Sequence, residues 1–457
     1  MTTELDDDGT AGSARRAIVL DVVGLEPAHL DRGLAPNVAD LVDEPARATL
    51  EPPFPSVTLP VQTTLATGRS PAAHGDVSSG EYDRANDEVA FWERDRGERD
   101  RLWETASEAG LTTGVFCFQH LVGTTADVAL TPSPIEDENN DILEMNCWTN
   151  PDGFYDDLRE AFGHFPLHTY WGPGANEQSS AWILDAASEA IERYDPDLLW
   201  LYVPHLDYDG LRHGSGDELD DAIGVVDALL GEFLDGLRGD DRWNETVVNV
   251  VSEYGFHDVH RPVFPNRALR EAGLLSVTDD GEGGEAVDLD ASAAFAMVDH
   301  QVTHVYADES AIEDAREALA PLEGVERVLG EEGKAEYGVD HPNAGELVLV
   351  ADPSAWFQYY WWHEKGDAPY YASDMDIHAK PGFDPCELFF GDSGLASLDP
   401  TLVGGSHGRT DCEGFYGLGG PAAPASVPER VDSRTVAPTL TELLGVNVEM
   451  GFETDPL

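Results

Sequence analysis

Apolar residues fill nearly every position of four short stretches, residues 16–25, 113–117, 198–203 and 246–251. A run of this kind predicts a strand buried on both faces. Between them lie longer stretches whose apolar positions recur every three or four residues, at 102–109, 179–194 and 219–237. That spacing predicts amphipathic helices. Strands separated by helices predict an α/β fold, a mostly parallel central sheet covered by helices on both faces. No repeat period is present. Residues 1–15 are expected to be disordered and 16–301 to form the first part of the core. Residues 136–174, rich in Asn, Pro and aromatics, read as an insertion over the site. Residues 302–352 alternate strand-like and helix-like patterns and read as a small inserted α+β subdomain, with 353–457 returning to the core.

Chemistry-bearing residues stand where those strands end. The first strand delivers Asp21 at its C-terminal end, and Glu26 follows in the turn past Gly24. Open α/β sheets present ligand-binding groups at that position. The strand at 198–203 runs into His205, Asp207, Asp209 and His213, expected in a short loop, and the strand at 246–251 into Ser252-Glu253-Tyr254-Gly255. Carboxylate oxygen and imidazole nitrogen are the usual donors to Zn²⁺ and similar ions when thiolates are absent. Pro55 and Pro60 restrict the backbone around Thr58, which should sit on a stiff turn before a helix over 62–67 stopped by Gly68. A helix N-terminus offers N–H groups and a positive dipole end to an anion, so a hydroxyl there can meet a phosphate.

Composition changes the picture in one respect. Of 457 residues 41% are hydrophobic, an ordinary globular share, but 89 acidic residues face 26 basic ones, a formal charge of −63. Lysine occurs only at Lys334, Lys365 and Lys380. Such a surface opposes nucleic acid and anionic membranes. At molar salt the Debye length falls to about 3 Å, which screens the self-repulsion, so a halophile's salt-filled cytoplasm is the expected setting. The first dozen residues are polar and acidic, unlike a secretory leader. No apolar run reaches the roughly 18 residues that span a bilayer. Cys117, Cys147, Cys386 and Cys412 are scattered without metal or disulfide spacing.

The segment Thr58-Leu59-Pro60, followed by Thr67-Gly68-Arg69-Ser70-Pro71-Ala72-Ala73-His74-Gly75, resembles the nucleophile motif of the nucleotide pyrophosphatase/phosphodiesterase family within the alkaline phosphatase superfamily. The family has Asn-His after the proline where this chain has Val61-Gln62. The resemblance runs from about residue 16 to 445. It implies an alkaline phosphatase-like fold, Thr58 as nucleophile and ligand, and Asp21 as the first metal-binding aspartate. It also implies Asp207 with His213 from the next strand end, and His407 in Gly404-Gly405-Ser406-His407-Gly408. Asp209 competes with Asp207, because Asp209 and His213 carry the family's four-residue spacing. Most relatives read Ser-Asp-His-Gly where this chain has Ser252-Glu253-Tyr254-Gly255, so Glu253 is the expected ligand and Tyr254 a poor one, with His257 and His260 as substitutes. His378 and Lys380 are candidates for phosphate contact.

Two divalent ions are implied, zinc at both sites or Mn²⁺ or Mg²⁺ at the altered one. One would be held by Asp21, Glu253 and Thr58, the other by Asp207, His407 and His213. The implied activity is hydrolysis of a small phosphodiester or nucleotide-like pyrophosphate through a threonyl-phosphate. Phosphonoacetate hydrolase-like cleavage, phosphomonoester hydrolysis and a degenerate binding protein are the alternatives.

Overall fold

The computed structural model describes residues 14–84, 88–90, 100–137, 142–374, 387–392 and 395–457. Thirteen strands carry its two main sheets. In chain order they are β1 (Arg16–Val22), β2 (Arg47–Glu51), β3 (Thr113–Phe116), β4 (Val128–Pro132), β5 (Cys147–Asn150), β6 (Leu198–Val203), β7 (Thr246–Val251), β8 (Ala294–Asp299), β9 (Val302–Ala307), β10 (Val325–Leu329), β11 (Leu347–Ala351), β12 (Gly414–Gly419) and β13 (Arg430–Asp432). Nine form the central sheet in the order β13-β2-β12-β7-β1-β6-β3-β4-β5. The run from β7 to β4 is parallel, with Asp21 opposite Tyr202 on one side and Val251 on the other. The β12 pairings and the β4–β5 edge are antiparallel. Every residue of β1, β6 and β7 is buried, as their nearly continuous apolar runs require.

Six helices matter for the site: α1 (Thr58–Thr67), α2 (Leu102–Glu108), α3 (Glu177–Tyr194), α4 (His205–His213), α5 (Asp217–Arg238) and α6 (Val436–Leu444). Helices α3, α4 and α5 pack together, as do α1, α2 and α6. Asp217, Glu218 and Asp220 in the first turn of α5 and Arg238 in its last complement the helix dipole. Between β7 and β12 the chain builds a four-stranded antiparallel sheet, β8-β9-β11-β10, with an apolar core of its own that includes Phe295, Leu349, Phe357 and Trp361. Its other face packs through Val302, Val348 and Val350 on Phe54 and Val77, the segments flanking α1. The stretch expected as an insertion supplies the edge strand β5. Among the described residues no helix is long and apolar enough to cross a membrane.

Candidate active site

Thr58 is the first residue of α1, not part of a turn before it. Pro60 fits inside the first helical turn, where a missing N–H costs nothing. Gly68 ends the helix at φ 65°. The other nine residues of α1 are buried, yet four are polar. Each polar side chain has a partner: Gln62 Nε2 donates to Glu253 Oε1 at 2.8 Å, Thr63 to Asp76 at 2.7 Å, Thr67 to the Thr63 carbonyl at 2.7 Å, and Thr64 meets His74 Nε2 at 3.0 Å. His74 of the sequence motif therefore fixes the helix. Thr58 alone is partly open to solvent.

Around it stand side chains from the carboxyl ends of β1, β6 and β7, the position open α/β sheets reserve for ligands. Asp21 and Glu253 are both fully buried. Neither Asp21 oxygen has a hydrogen-bond partner, and neither does Glu253 Oε2. Burial pushes the Asp21 carboxyl up to about 7, and burial followed by repulsion from Asp21 raises Glu253 well above the carboxylate range. Without a cation the pair holds a proton between them. Two buried carboxyls with orphaned oxygens fit a hard divalent ion.

The segment after β6 is the helix α4, not a loop. Two residues along a helix turn by about 200°, so Asp207 and Asp209 point to opposite sides. Asp209 turns to His205 at 3.2 Å and Arg212 at 3.7 Å. Asp207 turns to Tyr254 Oη, which donates to its Oδ1 at 3.2 Å, and to His407 Nε2 at 3.7 Å. His213 ends α4 exposed to solvent, and no described hydrogen bond or ion pair ties it to Asp207 or His407. Glu26 precedes the short helix Pro27–Asp31 and accepts from the Phe256 N–H at 3.4 Å.

His407 is buried, and its Nδ1–H donates to the Ser56 carbonyl at 2.8 Å. Its Nε2 therefore carries a lone pair, faces Asp207 and has no partner. Burial and then the neighbouring His300 push its pKa well below the ordinary histidine value. Tyr254 stacks on the His407 ring at 3.7 Å and 9°, and the His300 ring lies 4.0 Å away. Tyr254 Oη also meets Thr58 Oγ1 at 2.9 Å. The glycines before His407 pack against backbone of the chain itself. A Cβ on Gly405 would stand 2.1 Å from the Gly210 carbonyl, and one on Gly404 2.8 Å from that of Arg212, so they let this loop lie against α4.

His257 lies to one side of this centre, with Nδ1 3.0 Å from Gln301 Oε1 and 3.4 Å from Cys412 Sγ. With Asp411 and Cys412 it forms the one group of three potential ligand atoms within 4.8 Å among the described residues. Arg409 already holds Asp411, and burial pushes the Cys412 thiol up to about 12. His260 is exposed. His378 and Lys380 lie outside the described residues. Two members of the centre escaped the sequence reading. Gln62 braces Glu253 while its Oε1 accepts from the Gln119 N–H at 2.8 Å; His300 sits in the turn between β8 and β9 with φ 59°.

The model of the type I phosphodiesterase / nucleotide pyrophosphatase family matches residues 17–384. An uncharacterized pyrophosphatase/phosphodiesterase of Schizosaccharomyces pombe is 26% identical over 279 residues, 58% of this chain and 48% of the relative. The match spans about half the length of that curated relative. Among solved structures, an inactive form of murine ectonucleotide pyrophosphatase/phosphodiesterase 5 in complex with AMP is similar with a TM-score of 0.62 at 16% identity, covering 95% of this chain and 96% of that one. Phosphonoacetate hydrolase from Sinorhizobium meliloti in complex with phosphonoformate is similar with the same TM-score and coverage at 18% identity. At such identities the two structures show a shared fold.

Proposed function

The chain belongs to the type I phosphodiesterase / nucleotide pyrophosphatase family, and from that premise we propose that it hydrolyses small phosphodiesters or nucleotide-like pyrophosphates with Thr58 as nucleophile. The observation that carries this reading is a partly exposed hydroxyl at the head of a buried helix, bonded to Tyr254 and through it to Asp207, at the sheet end that also carries the buried carboxyls Asp21 and Glu253. The N-terminus of α1 favours an anion beside Thr58. Attack of Oγ1 on phosphorus expels the first alcohol or phosphate and leaves a threonyl-phosphate, which water then cleaves.

Asp21 and Glu253, with Thr58, would hold a divalent ion in this reading, and their orphaned oxygens are what favour it. Such an ion, when bound, neutralises charge on the phosphoryl oxygens and favours the ionised nucleophile. Oxygen donors alone suit Mn²⁺ or Mg²⁺ better than Zn²⁺. Asp207 and His407 offer two donors toward a second ion, a sparser set. Gln62 positions Glu253 by holding one of its oxygens.

The structurally similar proteins carry AMP in one case and phosphonoformate in the other. A phosphonate is therefore the second substrate class to try. We also read the −63 charge as an adaptation to a salt-rich cytoplasm, and melting measured from molar to ~0.1 M KCl checks it through a fall in melting temperature. The function itself is tested by screening phosphodiesters, pyrophosphates, monoesters and phosphonates in molar salt with added Mn²⁺ or Zn²⁺, for the wild type and for Thr58→Ala. Diester or pyrophosphate turnover that the variant lacks supports the proposal. Turnover by the variant near the wild-type rate overturns it.

A further inference from the structure

The turn between β8 and β9 reaches out of the four-stranded sheet to the reaction centre. Asp299 pairs with Val302 at the end of this hairpin, so His300 and Gln301 form a two-residue loop. The first place in such a loop favours glycine, asparagine or aspartate, because its φ is positive. Here histidine holds it, at φ 59°. A residue stays in that region only where its surroundings fix it, and such positions gather at functional sites.

The surroundings of this turn are well defined. The His300 carbonyl accepts from the Phe357 N–H at 2.8 Å, and the Gln301 carbonyl from the Ala351 N–H at 2.9 Å. Gln301 is fully buried, with Nε2 donating to the Ala355 carbonyl at 3.0 Å and Oε1 3.0 Å from His257 Nδ1. Asp299 accepts from the Ser79 N–H at 2.7 Å and from Ser78 Oγ at 3.0 Å, which ties the hairpin to the chain that follows α1. Held from these sides, the turn bears on His407. The Gln301 N–H donates to the His407 carbonyl at 2.8 Å, and the His300 ring lies 4.0 Å from the His407 ring. Gly408, at φ 123°, lets the two backbones approach, since a Cβ there would stand 3.2 Å from the Gln301 nitrogen.

Resting on the proposed roles of Thr58 and His407, we propose that the β8–β9 turn is a positioning element of the reaction centre. Gln301 and His300 are its positioning residues, and they act through His407, which they hold toward Asp207. His407 Nε2 stands 3.7 Å from Asp207 Oδ1 without a hydrogen-bond partner, so its use depends on where the ring is placed. Residues that orient a ligating side chain typically contribute about 10–100-fold in affinity or activity. The four-stranded sheet is then a working part of the centre, although it lies outside the central sheet.

Three variants separate positioning from plain stability. Gln301→Met keeps the backbone N–H and the length of the side chain but loses the bonds to Ala355 and His257. His300→Asn tolerates the positive φ and removes the ring from His407. Tyr306→Phe is the control, because it removes a bond of 2.8 Å to the Asn343 carbonyl on the same sheet, away from the turn. Each full-length protein is measured in molar salt, for amide exchange over residues 404–408 without metal and for kcat and KM with saturating Mn²⁺ or Zn²⁺. Gln301→Met and His300→Asn should exchange faster over 404–408 and lose about 10–100-fold in kcat at unchanged KM. Tyr306→Phe should match wild type in both, even if it melts lower. Wild-type exchange over 404–408 in either folded variant, or a kcat within about threefold of wild type, would overturn the proposal. An equal loss in Tyr306→Phe would also overturn it, as the effect would then be one of stability alone. If Gln301→Met does not fold, His300→Asn decides. The exchange measurement needs no turnover, so failure of the hydrolase reading shows separately, as turnover by Thr58→Ala or none by wild type.

Discussion

Two buried histidines, one in each sheet region, face opposite demands. His304 on β9 is fully buried with both nitrogens occupied: Nε2–H donates to the Val77 carbonyl at 2.9 Å and Nδ1 accepts from the Gly345 N–H at 3.1 Å. His407 is as deeply buried but has one nitrogen occupied and the other facing a carboxylate without a partner. A buried polar group that is fully bonded holds structure together, whereas one left unsatisfied costs stability and is kept where it meets a ligand. For these two histidines polar satisfaction, more than burial, separates a structural role from an open one.

Asp21→Asn breaks the contrast most strongly. It removes one of two facing buried carboxyls, so the metal-free variant should be more stable than metal-free wild type by roughly 1–2 kcal/mol. The same change should abolish turnover and the binding of the ion. Melting with and without Mn²⁺, alongside an activity assay, checks this. A variant less stable in the absence of metal would mean that the proton shared by Asp21 and Glu253 outweighs their mutual repulsion.

His304→Ala sharpens the other side. It strands a carbonyl and an N–H and should cost about 2–4 kcal/mol. Below pH 6.5 the difference should shrink. Burial first, then Lys334 and Arg84, push His304 down to about 4 from the ordinary 6.5, with the Val77 bond opposing. Between those values the unfolded chain binds the proton and the folded chain does not, so stability from neutral His304 is present above 6.5 and is lost as pH falls toward 4. The loss amounts to about 3 kcal/mol from this residue. His29 shifts to about 4 chiefly through burial and acts in the same direction. Denaturant unfolding of wild type and variant at pH 7 and pH 4.5, both in molar salt, measures the two slopes. Parallel slopes would contradict the assignment.

Much of the frame was legible in the chain. The runs at 16–25, 198–203 and 246–251 read as buried strands because apolar residues fill nearly every position, and they carry Asp21, Asp207 and Glu253 to one edge. The choice between Asp207 and Asp209 was not legible, since it turns on α4 being a helix that rotates the two carboxylates apart. His300 left no signal at all: it is one residue in a tight turn, and its positive φ is invisible in a residue that is not glycine. Gln62 did leave one. Gln62 stands where the family pattern has histidine and Glu253 where it has aspartate, and two departures whose side chains pair suit a mutual hydrogen bond.

The central claim is that Thr58 takes the phosphoryl group before water does, and stereochemistry at phosphorus tests it most directly. A diester selected by the substrate screen, made as a single phosphorothioate diastereomer and turned over in ¹⁸O-labelled water, records the number of displacements. Two in-line steps through a threonyl-phosphate give net retention, the result expected here. Net inversion would mean that water attacks the substrate directly and that Thr58 is not the nucleophile.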